Sequence, residues 1–402
     1  MTNELIIKAD RIITGDGRTV LDAAVYIADG KIAELGELAV LQAAHPAAAL
    51  KEYPGGTILP GLIDMHVHVG YWFSKSDAAD YNDFLIALMA ADYCKTAFSK
   101  GVTTMRDVSS VKNLCATLNK ARKRGFIEIP RLIFVDAALC FTGGHGWELK
   151  DAVIEVNGPW EVRAAIRDNI KRGAQWLKVM SSHRSHIPEF TQEELDAAVD
   201  EAHRVGKKLA VHAGTRPAIQ MCIDAGFDTI EHGTYLTVEQ AQQMAKNGQV
   251  WCPTIAAYTM SYEVLLGMME QEGMTNRVSQ LFVEHHDYFR DAAMAYKQNF
   301  YDLYKTGVKI VVGTDLVYEN APVTAVAAEM KYMAEYGMPL LEVIQAATKN
   351  AAEVLGINTG EIAVGKEADV LVVAGNPAAD IAALTNVVEV FYGGKSVYAK
   401  SG

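Results

Sequence analysis

Eight short apolar runs, alternating with stretches patterned as helices, constrain this chain more than any other feature. The runs lie at 62–68, 102–106, 132–135, 176–180, 208–212, 229–232, 250–253 and 309–313. Short apolar runs of this kind read as strands covered on both faces, and their alternation with helical periodicity marks βα units and a parallel sheet. Helical patterns stand between them, for example at 160–171 and 192–204, where Thr191 with Glu194 three residues on makes a capping box. Eight strands with eight helices predict an α/β chain folded as a (β/α)8 TIM barrel. The seventh connection, 256–306, is far longer than a minimal crossover and carries several methionines, which predicts an added helical lid.

The ends of the chain follow a different pattern. Short strands around the hairpin dipeptide Asp29-Gly30, and again at 369–373, 387–392 and 395–397, are separated by Gly and Pro signals. Neither terminal segment is large enough to bury a core alone, so the two are expected to pair into one small β-sandwich. The expected organisation is therefore 1–57 and 358–402 as the two parts of the sandwich and 58–357 as the barrel.

Composition narrows the partners. Lys+Arg total 37 against 49 Asp+Glu, a net charge of −12, which leaves no basic footprint for phosphate backbones or anionic lipid. The start has no basic stretch leading into a long apolar segment, and no later run approaches the roughly 20 apolar residues that span a bilayer. A cytoplasmic homo-oligomer acting on a small-molecule substrate is expected, without nucleic acid or membrane partners. Five scattered cysteines with no C-x-x-C pattern indicate neither a disulfide framework nor a thiolate metal site.

Within strands that should be apolar on both faces, titratable residues at the C-terminal ends call for an explanation. His66-Val67-His68 closes the first run, Lys178 sits in the fourth, His212 and His232 end the fifth and sixth, and Asp315 follows the eighth. Residues two apart on a strand point to one side, so His66 and His68 can approach one metal. With Asp315 they supply three ligands of the type that binds Zn²⁺ and leave a position open for water. His212 and His232 can hold a second ion. An ammonium among cations would repel them, so Lys178 makes sense as a carbamate, formed with CO₂, whose two oxygens bridge the metals.

The stretch Leu59-Pro-Gly-Leu-Ile-Asp-Met-His66-Val-His68 resembles the opening signature of the amidohydrolase superfamily. Val211-His212-Ala, Ile230-Glu-His232-Gly-Thr, Gly313-Thr-Asp315 and the segment from Pro339 to Asp369 resemble its later ones, so the likeness covers essentially the whole chain. Thr142-Gly-Gly-His145-Gly and Gly173-Ala-Gln-Trp-Leu-Lys178-Val-Met are most similar to the binuclear, carboxylated-lysine, prolidase-like group with Xaa-Arg/Lys and Xaa-Pro dipeptidase-type members. The resemblance implies two zinc ions bridged by carbamylated Lys178, and a His145 that contacts the scissile carbonyl and steadies the developing oxyanion. It also implies that Asp315 takes a proton from the attacking water and passes it to the leaving nitrogen. Relatives that bind a peptide carboxylate often carry a tyrosine shortly after the fifth-strand histidine; here the sequence runs His212-Ala-Gly-Thr-Arg216, and Arg216 offers a bidentate clamp instead. Tyr71 and Trp72 are expected at the pocket wall.

An amide or related C–N bond ranks first as the target, in a dipeptide or N-acyl amino acid, with aryl ureas, carbamates, cyclic amides and lactones as alternatives. A deaminase is disfavoured because Thr215 stands where such relatives carry a proton-transferring glutamate. A catalytically silent scaffold is disfavoured because all six ligand candidates are present.

Overall fold

The computed structural model describes residues 4–70, 82–182, 187–269, 285–316 and 322–400. Every one of the eight apolar runs forms a strand: Leu62–Val67, Val102–Asp107, Arg131–Phe134, Trp176–Met180, Lys208–Ala213, Thr229–His232, Val250–Cys252 and Lys309–Ile310. The first three make one parallel sheet. The last five belong to a seven-stranded sheet, also parallel throughout, with two strands the apolar runs did not disclose, Ala138–Phe141 and Val153–Val156. Backbone hydrogen bonds join the two sheets at both seams: Gln175 N–H donates to Phe134 O at 2.9 Å, and Met65 N–H to Val312 O at 2.8 Å.

Both sheet faces are covered, as the apolar runs require. Leu177, Val179, Leu209, Val211 and Ile230 are buried with Ile166, Ile219 and Ile223 from the surrounding helices in one continuous core. The helix Gln192–Arg204 begins at the expected capping box, in which Thr191 Oγ1 accepts from Glu194 N–H while the Glu194 carboxylate accepts from Thr191 N–H. The long seventh connection contains the helices Ile255–Met269 and His286–Lys305. Glu329 holds the first of these over the sheet by accepting from Ile255 N–H and Ala256 N–H at 2.8 and 2.6 Å.

The terminal segments pair with each other. Ala49–Pro60 runs parallel to Leu5–Ile13 on one side and antiparallel to Val370–Ala374 on the other, which makes a single eight-stranded sheet from both ends of the chain. Ile7, Ile12, Ile58, Val370, Val372 and Phe391 share its apolar cluster. Arg131 ties this sheet to the parallel strands through ion pairs with Glu367 and, at 2.9 Å, Asp369.

Candidate metal and catalytic site

The titratable residues at the strand ends converge. His66 Nε2 and His68 Nε2 lie 3.5 and 3.2 Å from Asp315 Oδ1, and His232 Nδ1 lies 3.8 Å from Asp315 Oδ2. The ring of His232 is 5.0 Å from that of His66 and 4.4 Å from that of His212. Lys178 pairs in register with Ala210, two residues before His212, and its charge acts on His66, His212, His232 and Asp315. It is only 2% exposed, so its amine does not reach solvent by extension. His145 comes from the glycine-rich loop after the strand Ala138–Phe141, and its ring stacks obliquely on His212 at 4.2 Å.

Burial sets the protonation of this cluster. It pushes His66 down to about 4 and His212 and His232 well below the ordinary histidine range, so all three rings are neutral with lone pairs to offer. Burial alone would raise Asp315, but the rings of His66, His68 and His232 outweigh it and keep the carboxylate ionised. Lys178 is lowered to about 8, again by burial, against the opposing pull of Glu231 and Asp315. Neutral imidazoles around an ionised carboxylate are a donor set suited to a divalent cation, and the ligand atoms of His66, His68 and Asp315 all lie within 4.8 Å of one another.

Three residues around the cluster hold left-handed backbone although none is glycine: His232 at φ 66°, Thr254 at φ 52° and Asp315 at φ 49°. Such conformations cost about 1–3 kcal/mol each and persist where the surroundings enforce them. At His232 the enforcing contacts are visible: its carbonyl accepts from Trp251 Nε1 at 2.7 Å and from the Tyr296 hydroxyl at 3.1 Å. Asp315 is steered by Asp64, whose buried carboxylate accepts from Thr314 Oγ1 at 2.7 Å, Thr314 N–H at 3.1 Å and His66 N–H at 3.2 Å.

Gly313, just beyond the eighth strand, packs tightly against His66 of the first and Cys252 of the seventh. A Cβ there would lie 2.5 Å from Cys252 Sγ and 2.7 Å from His66 Cβ. Gly313→Ala is therefore expected to cost about 1–3 kcal/mol, the usual effect of overpacking, and to displace His66. Thermal unfolding and bound-metal analysis check this; an alanine variant with wild-type midpoint and metal content would show that the contact relaxes freely.

Several residues of the site were not among those singled out from the sequence. Glu231 and Arg106 are fully buried charges that pair at 2.7 Å, and Glu231 also meets His66 Nδ1 at 2.8 Å. Ser109 O lies 2.8 Å from His68 Nδ1, the ring nitrogen turned away from Asp315, and Thr254 Oγ1 lies 2.7 Å from His232 Nδ1. Tyr258, on the helix Ile255–Met269, lies 5.8 Å from the His232 ring and packs with Tyr288, Phe289 and Tyr296 into an aromatic wall. Of the expected substrate contacts, Arg216 opens the helix Arg216–Ala225 with an exposed side chain, and Tyr71 and Trp72 lie outside the described residues.

A parallel α/β chain with neutral histidines, a buried lysine and an ionised carboxylate at the strand C-termini has the design of a metal-dependent hydrolase. The chain belongs to the amidohydrolase family, whose model matches residues 57–397. It is 30% identical over 435 aligned residues to ochratoxinase of Aspergillus niger, covering 97% of this chain and 86% of that protein. Among solved structures it is similar to a Xaa-Pro dipeptidase with bound methionine in the active site (TM-score 0.86, 29% identity, 99% of this chain and 100% of the other). It is also similar to the crystal structure of A. niger ochratoxinase (TM-score 0.84, 27% identity, 99% and 96%). The protein is thus a hydrolase of a family whose chemistry is metal-dependent cleavage of amide and related C–N bonds.

Proposed function

We propose that this chain is a two-metal amidase or peptidase of small substrates, a dipeptide or N-acyl amino acid first among them, built on a closed (β/α)8 barrel. Residues 58–357 form the barrel, and 1–57 with 358–402 form the smaller β unit. The observation that carries the reading is that His66, His68 and His232 gather around Asp315, with the ring of His212 beside His232 and the buried Lys178 amine close enough for its charge to act on His66, His212 and His232. His66, His68 and Asp315 would hold one zinc ion, His212 and His232 the other, and Lys178 both, as its carbamate.

When bound, a pair of divalent ions supplies an acidified water near neutral pH and polarises the carbonyl under attack. The chain's own groups do the rest. Asp315 accepts the proton of the attacking water and delivers it to the leaving nitrogen. His145, beside His212, donates to the carbonyl oxygen as negative charge grows there. The aromatic wall of Tyr258, Tyr288 and Phe289 excludes water and packs an apolar substrate group. The names of the relatives support amide substrates, since one is a dipeptidase and its bound molecule is an amino acid.

A hydrolysis screen of zinc-loaded protein over dipeptides, N-acyl amino acids, aryl ureas, carbamates, cyclic amides and lactones tests this reading. Turnover is expected among the amides and should vanish on chelation and return with Zn²⁺. Turnover confined to lactones, or undiminished by chelator, would refute it.

A further inference from the structure

We propose that Glu231, clamped by Arg106, is a positioning residue that fixes the ring tautomer of His66 and thereby keeps Nε2 free to bind a cation. The proposal rests on the two-metal reading for its consequence but not for its geometry. Arg106 is fully buried and has a donor role in every contact: Nε to Met65 O at 2.6 Å, Nη1 to Thr229 Oγ1 at 3.1 Å and Nη2 to Glu231 Oε1 at 2.7 Å. Its face lies over the Trp176 ring, 4.7 Å from the centroid. Having received from Arg106, the Thr229 hydroxyl donates onward to the same Glu231 Oε1. Two donors thus occupy one oxygen of the carboxylate, and the other, Oε2, faces His66 Nδ1 at 2.8 Å.

A carboxylate only accepts, so the hydrogen of a neutral His66 must sit on Nδ1. Nε2 is then bare, and it is the nitrogen that points to Asp315 Oδ1. Every link has a fixed direction because the chain starts at a guanidinium, which has no acceptor and does not lose its proton. The other ligand candidates are set differently. For His68 the backbone carbonyl of Ser109 does the same work, whereas His232 meets a hydroxyl, Thr254 Oγ1, which can give or take. His66 alone among the three depends on a removable side chain that can be made to reverse its polarity.

Glu231→Gln makes that reversal. Arg106 and Thr229 still donate, so the amide oxygen must stay with them, and the amide NH₂ is turned toward His66 Nδ1. The ring has to accept there, and its hydrogen moves to Nε2, the nitrogen meant for the cation. The substitution keeps size and shape, so a purely structural ion pair would register in stability while leaving the tautomer unchanged.

The experiment uses protein freed of metal by chelation and labelled with [¹⁵N]histidine, the His66 signal being identified by its absence in His66→Asn. Wild-type His66 is expected to be protonated on Nδ1 and the Glu231→Gln variant on Nε2. In parallel, chelator competition should show zinc bound about 10–100-fold more weakly by the variant, the usual range for losing the group behind a ligating histidine. Wild-type His66 protonated on Nε2 overturns the proposal without any variant having to fold. So does a Glu231→Gln protein that keeps the Nδ1 hydrogen and binds zinc as tightly as wild type. A wild-type protein that binds no divalent ion would sink the two-metal reading instead, and the tautomer measurement would still decide the role of Glu231.

Discussion

Lys178→Ala should yield a folded protein with lowered metal content and at least about a thousandfold less activity. The size follows from what a bound metal contributes, several kcal/mol of transition-state stabilisation, at roughly 1.4 kcal/mol per factor of ten. Lys178 is 2% exposed and sits at the centre of the strand Trp176–Met180, where an aliphatic residue would serve packing better. An ammonium there stands among His66, His212 and His232 with no room to snorkel. With burial holding it at about 8, an appreciable share of the amine is neutral at physiological pH and open to CO₂. Attack of the nitrogen lone pair on CO₂ forms an N–C bond and releases one proton, and it exchanges a misplaced cation for an anion with two donor oxygens. Alanine removes those oxygens and leaves space for a small carboxylic acid, so acetate or propionate should restore part of both metal content and turnover. Wild-type turnover in the variant, or a full metal complement without added acid, would contradict the bridge.

How much of this site was readable in one sequence depends on the range of the interaction. The eight strands were legible because burial on both faces writes itself as a local apolar run. The candidate cation ligands stood out because polar residues at the ends of such runs are anomalies, as with His212 after Leu209-Ala-Val or Asp315 after Val311-Val-Gly-Thr. Asp64, Arg106 and Glu231 gave the same kind of signal, a charge inside an apolar strand. What single-sequence reasoning could not supply was their partners: Arg106 and Glu231 are 125 residues apart, and Glu231 and His66 are 165 apart. Strand alternation also misleads at this point, since Glu231 and His232 are adjacent and should face opposite sides. The left-handed backbone at His232 breaks the alternation, and both end up against His66. The strands Ala138–Phe141 and Val153–Val156 escaped because they flank the glycine-rich segment 142–146 and the 3₁₀ helix Trp147–Ala152, a stretch that resembles one long loop. The aromatic wall escaped because Tyr258 and Tyr288 come from separate helices of the long connection, and their meeting is decided by helix packing.

Asp315→Asn is expected to leave the fold intact and lower kcat by about 10²–10⁴-fold, the range associated with losing a positioned proton-transfer group. Asparagine is the right probe for two reasons. It matches aspartate in shape, and it is one of the few residues that tolerates the left-handed backbone found here at φ 49°. The anchors on either side do not involve the side chain being changed: Asp315 N–H donates to His66 O at 2.9 Å, and Asp64 holds Thr314 through both its hydroxyl and its N–H. The loss should therefore be chemical. In the wild type, one carboxylate oxygen faces His68 and His66 and the other faces His232. An amide keeps an acceptor on only one of those sides and turns a donor toward the other, so it can neither complete the cation site nor carry a proton. Steady-state kinetics, circular dichroism and metal analysis on the same preparation separate these effects. If kcat falls only a few-fold while the metal content is retained, the proton is moved by another group, and Asp315 is reduced to a ligand.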